Sequence, residues 1–121
     1  MKPQSGEMYL AYRKDTYHQK DKFHIYFDDS CVLLINSKSS KQNVSPIITP
    51  KDCSLLSHDS YICIDKVFTY DKNQKAIKIE QVSKEALKRL KEMLPCSNGI
   101  TQIVINRIIK YIDEVLNNPL V

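Results

Sequence analysis

The feature that most constrains this chain is a change of hydrophobic period near residue 83. Before it, apolar residues alternate with polar ones in short runs separated by turn formers; after it, they recur every three or four positions. A sheet therefore comes first and helices follow. Residues 7–13 set Met8, Leu10 and Tyr12 against Tyr9, Ala11 and Arg13, the alternation of a half-buried strand. Residues 22–27 alternate again, Asp28-Asp29-Ser30 reverses the chain, and residues 31–36 form an apolar run. This predicts a hairpin whose second strand lies at the centre of a sheet.

Residues 44–50 read as a short strand between Pro46 and Pro50, with Pro46 at an edge or at the strand's start. Residues 60–70 read as one long strand, bent or bulged near Asp65-Lys66 where the alternation falters, and residues 76–80 finish the sheet. Ser83 fits an N-cap, Glu85 complements the positive end of the helix it opens, and Leu87, Leu90 and Leu94 share a face before Pro95 stops the helix. A second helix carries Ile100, Ile103, Val104, Ile108, Ile112 and Val115 on a stripe wide enough for a sheet and another helix, or for a subunit partner.

The class this predicts is α+β and β-dominated: a small barrel or strongly bent sheet of five to six strands over about residues 6–80, then two C-terminal helices at about 83–94 and 100–116. With no internal repeat and no dividing linker, residues 1–121 read as a single domain.

Composition narrows the functional classes. At 42% hydrophobic residues the chain can bury a core without metal or disulfide staples, and no run approaches the roughly 18 apolar residues of a membrane helix. The N-terminal residues carry no apolar signal core, so no membrane partner and a cytoplasmic location are expected. Cys31, Cys53, Cys63 and Cys96 are widely spread and form no Cys-x-x-Cys pair. They read as reduced and mostly buried thiols, with a secreted disulfide framework as the alternative. Three histidines without clustered carboxylates, and only two glycines, leave no metal site or phosphate-cradling loop, so no cofactor is expected. The net charge of +4 favours an anionic partner such as RNA without demanding one.

Few polar groups are placed suggestively. If Phe23, Ile25 and Phe27 face the core, Lys22, His24 and Tyr26 line the opposite face. That row is either a solvated surface or a set suited to a phosphodiester: an ammonium to anchor the anion, an imidazole to move a proton, a phenol to stack. Ser37, Lys38 and Lys41, with Tyr17 and His18 in the loop of residues 14–21, would flank the same hairpin and suit single-stranded RNA, or be merely solvated. His58-Asp59-Ser60 reads as a turn, because triad members are brought together by the fold and not by adjacency.

Three segments together resemble the PemK/MazF family of toxins, small SH3-like barrels that act as ribonucleases in toxin-antitoxin pairs. Gly6-Glu7-Met8-Tyr9-Leu10-Ala11-Tyr12 is similar to that family's opening strand, residues 60–69 to a later strand, and Glu80-Gln81-Val82-Ser83-Lys84-Glu85-Ala86-Leu87 to its entry into the C-terminal helix. The likeness covers roughly residues 6–94 and leaves out the last helix. It implies metal-independent cleavage of single-stranded RNA by 2′-hydroxyl attack in a cytoplasmic bacterial protein, neutralised by an antitoxin, with a homodimer as a further partner. The family's threonine would be Thr49. Its arginine has no counterpart, and Lys22, followed by Phe23, stands in that place with a point charge instead of a planar fork. Lys22 would bind phosphate, His24 transfer a proton, Thr49 hydrogen-bond a non-bridging oxygen, and Tyr26 or Tyr17 stack a base, provided Lys22 and His24 open into a groove across from Thr49. A non-catalytic barrel binding RNA or a protein strand is the contrasting expectation.

Overall fold

The computed structural model describes residues 2–13, 21–40, 45–73 and 75–121. Six strands, β1 (Glu7–Tyr12), β2 (Asp21–Asp28), β3 (Cys31–Asn36), β4 (Ile47–Ile48), β5 (Ser60–Ile62) and β6 (Lys78–Gln81), precede α1 (Lys84–Met93) and α2 (Gln102–Leu116). The strands pair antiparallel in the order β4-β5-β3-β2-β1-β6. The architecture is α+β and β-dominated, a curled half-barrel followed by two helices, as the change of period requires.

The hairpin β2–β3 occupies the centre, which explains its apolar character: both of its faces are covered. On one face Met8, Ile25, Phe27, Leu33 and Ile62 meet Leu87, Leu90, Ile108 and Ile112 of the helices in the main core. On the other, Tyr9, Ala11, Tyr26, Val32 and Leu34 form a second cluster with Cys63 and Phe68. The sheet curls until the turn after β4 reaches the opposite edge, where Ser83 N donates to Asp52 O at 2.8 Å and Ser54 Oγ donates to Glu80.

Local chemistry explains the ends of the helices. Ser83 Oγ accepts from Ala86 N at 3.1 Å, so the expected N-cap is formed, and Glu85 sits in the first turn of α1. Pro95 falls in a 3-10 turn, Leu94–Cys96, that carries the chain off α1. α2 buries Ile105, Ile108, Ile112 and Val115 against its own chain. Ile103 departs from the expected stripe: it is 76% exposed, because Ile105 takes the inward position instead. Tyr111 Oη donates to Asp28 Oδ2 at 2.9 Å and Lys91 pairs with Asp113 at 2.6 Å, fastening α2 to the hairpin turn and to α1.

The expected long strand over residues 60–70 is corrected. β5 stops at Ile62, and pairing with β3 resumes only at the Val32↔Phe68 bridge, so two residues of β3, Leu33 and Leu34, face five of the later segment, 63–67. The excess bulges at Ile64 and Asp65, where the connector between the helices meets it, and the Ile64 side chain stays in the main core. Ser97 Oγ donates to Ile64 O at 2.5 Å and accepts from the amides of Gly99 and Ile100 at 3.2 Å. The expected strand over 44–50 shrinks to two residues, Ile47–Ile48, next to Pro46 and Pro50.

Candidate functional site

After Phe68 the chain leaves β3, passes the hairpin turn where Tyr70 N donates to Asp29 O at 2.8 Å, and rejoins the sheet where Ile77 N donates to Leu10 O at 2.8 Å. This strap crosses the face that carries Tyr9, Ala11 and His24. Between the two lies a cleft of about 610 Å³, lined among the described residues by these three, by Tyr12 and Arg13, and by residues 69–73. That volume is in the range of small-molecule and nucleotide sites.

The geometry of the cleft follows from strand register. Tyr9 and His24 are directly opposed on β1 and β2, and their rings stack with centroids 4.6 Å apart and planes 8° from parallel. The Tyr70 ring stands edge-on to Tyr9 and to Tyr26, at 5.5 and 5.4 Å. Burial pushes the Tyr9 hydroxyl well above the usual tyrosine range, so it stays protonated. Arg13 ends the outward row of β1. Its guanidinium lies 4.8 Å from the Phe68 ring centroid and donates to Thr69 O at 3.0 Å, which leaves it 8% exposed. Tyr12 and Lys72 are more open to solvent.

At the hairpin turn, Asp29 gathers several donors: Tyr26 Oη at 2.6 Å, Lys2 Nζ at 2.9 Å and, more loosely, Lys72 Nζ at 3.5 Å. The hydrogen bonds from Tyr26 and Lys2 hold its carboxyl at about 2. Burial first, and then the bond to Asp29, push Tyr26 up to about 12.

The expected site residues divide into groups. Lys22, His24 and Tyr26 share one face. His24 is fully buried in the floor of the cleft, Tyr26 lies in the second cluster, and Lys22 is the register partner of cleft-lining Ala11, with its ammonium 3.4 Å from Asn36 Oδ1. Ser37 and Lys38 are exposed at the open end of the same hairpin. Thr49 lies elsewhere, at the far edge strand: its hydroxyl donates to Asp52 Oδ2 at 3.2 Å, in the turn that meets α1. Tyr17, His18 and Lys41 lie outside the described residues.

Arg13, Tyr70 and Lys72 were not among the expected site residues. For Arg13 the signal was present, since Tyr9, Ala11 and Arg13 alternate on one face of β1, and pairing β1 with β2 puts that face beside His24. Nothing in the sequence announces that the strap crosses there. Ser60 Oγ contacts His58 Nδ1 at 3.4 Å and His58 O at 3.3 Å, the local bonding of a turn. All four cysteines are free; Cys31, Cys53 and Cys63 are buried, which raises their thiol pKa values, and Cys96 is exposed. Among the described residues no three His, Cys, Asp or Glu side chains are grouped to hold a metal ion, and no helix is long and apolar enough to cross a membrane. Compared with models of protein families, with curated proteins and with solved structures, the chain matches none of them.

Proposed function

We propose that this chain binds single-stranded RNA in the cleft between the β1–β2 face and the strap. The observation that carries the reading is the joining, in one cleft, of partly open tyrosine rings, Tyr12 and Tyr70, with the cations Arg13 and Lys72. Single strands are held by that pairing: bases stack on aromatic faces while guanidinium and ammonium groups follow the phosphates. The excess of basic residues and the exposed Ser37-Lys38 segment extend the same preference along the hairpin's open end.

The test is a titration of fluorescent single-stranded RNA in EDTA at several salt concentrations. Binding should weaken as salt rises. Arg13→Gln removes a positive charge from the cleft wall and should cost up to about tenfold in affinity and make the salt slope shallower. Lys72→Ala should give a smaller loss in the same direction. If no RNA is bound even at low salt the reading is wrong, and a barrel that takes a protein strand along its sheet edge replaces it.

A second reading, the endoribonuclease toxin implied by the PemK/MazF resemblance, draws on one observation: an imidazole and a guanidinium, His24 and Arg13, line the same cleft. Cytoplasmic action, an antitoxin and a homodimer belong to this reading. It stands second because Thr49 is engaged at Asp52 and because His24, 0% exposed, reaches a phosphate only if the strap lifts. Cleavage in EDTA that leaves cyclic phosphate ends and disappears in His24→Gln would promote it above simple binding.

A further inference from the structure

An exposed cation of the cleft, Lys72, is paired with a carboxylate of the same chain. Asp29 is fixed at the hairpin turn, where its own carbonyl accepts from Tyr70 N and its Oδ1 takes the Tyr26 hydroxyl and Lys2. Its Oδ2 is turned toward Lys72, which lines the cleft, and the Lys2 ammonium lies 6.0 Å from the ring centroid of cleft-lining Tyr70. We propose that Asp29 is an internal competitor of RNA phosphate, neutralising Lys72 at the cleft wall and Lys2 beside it until a phosphodiester displaces it; this rests on the RNA reading and adds a control to that same site.

The chemistry is that of one anion exchanged for another. Lys72 is 74% exposed on a flexible stem, so its pair with Asp29 is weak and can be broken by a phosphate arriving within reach. The low carboxyl pKa of Asp29 keeps the competitor charged at any physiological pH. Its anchoring by Tyr26 keeps it from swinging away, so the negative charge remains beside the cleft mouth and discourages weakly charged or short ligands more than a continuous strand.

The experiment measures anisotropy of a short labelled single-stranded RNA with the full chain. Asp29→Asn can still accept from Tyr26 and should bind about two- to tenfold more tightly, with a salt slope steeper by about 0.7 for each cation released. In a Lys72→Ala background the gain should shrink. Asp29→Ser serves as a second neutral variant should Asp29→Asn fail to give a wild-type melting curve. Unchanged or weaker binding in a folded neutral variant, or a gain that persists in full without Lys72, overturns the competitor. Wild-type protein that binds no RNA at low salt refutes the RNA reading itself, so the two failures are distinct.

Discussion

Gly99→Ala is expected to lower stability by about 3 kcal/mol or more, with a fall in Tm of roughly 10–15 °C. A Cβ on Gly99 would stand 1.6 Å from the carbonyl oxygen of Asp65 and 2.6 Å from its carbonyl carbon. Those are backbone atoms, so no rotamer change relieves the overlap. The connector between the helices would have to retreat, and in doing so would break the Ser97 hydroxyl's bond to Ile64 and its two amide contacts. Gly6→Ala provides the control. Gly6 has φ of 85°, but its nearest neighbours are side-chain atoms of Val115 and Gln81 at 3.1 and 3.3 Å, so a cost nearer 1–2 kcal/mol is expected. Urea titration of both variants checks the order, and equal midpoints for Gly99→Ala and wild type would refute the close approach.

The second large effect is at Asp52. Its carboxylate accepts from Ser83 Oγ at 2.6 Å, from Thr49 N at 3.0 Å and Oγ1 at 3.2 Å, and from Arg89 Nη2 at 2.5 Å, joining the turn after β4 to the start of α1. Asp52→Ala would strand these donors and loosen both sheet edge and helix, at a cost of roughly 2–4 kcal/mol, tempered because Arg89 is partly solvated. Burial alone would raise the Asp52 pKa, yet the bonds from Ser83, Thr49 and Arg89 outweigh it and hold the carboxyl below its usual range. A depressed carboxyl adds stability that is present above the unfolded value, about 3.9, and is lost as pH falls through the folded one. Acid should therefore destabilise the protein below about pH 4, with Asp29 still contributing down to about 2. Denaturant midpoints measured against pH should show a shallower acid limb in Asp52→Asn.

How much of this was legible in the sequence depended on whether the information was local. The hairpin, its central place and the cap of α1 were readable, because alternation, an acidic turn and a serine before a leucine-spaced run are properties of neighbouring residues. The run over 60–70 reads as one strand with a bulge near Asp65-Lys66, yet β5 ends at Ile62 and only a bridge at Phe68 follows. Its apolar content is real, but Ile64 bonds to a connector thirty-three positions away, and nothing near it in the chain says so. That Lys22, His24 and Tyr26 share one face follows from alternation alone. The covering of that face is not legible there, since the strap's path over Tyr9 and His24 is set by tertiary pairing at Asp29 and Leu10. The resemblance alone sets Thr49 across from His24, whereas the sheet puts β4 at the edge and β2 three places inward.

The position of β1 between β2 and β6 has a kinetic consequence. β6 must find a partner laid down near the beginning of the chain, as in the bond from Gln81 to Gly6 across 75 positions, and α1 starts directly after it. Closing so long a loop costs entropy before any contact repays it, so the nucleus should form in the β2–β3 hairpin and the helices should dock afterwards. Substitutions in the buried side of α2 should then hasten unfolding far more than they slow refolding, which makes the last helix a clasp on a finished half-barrel and not the seed from which it grows.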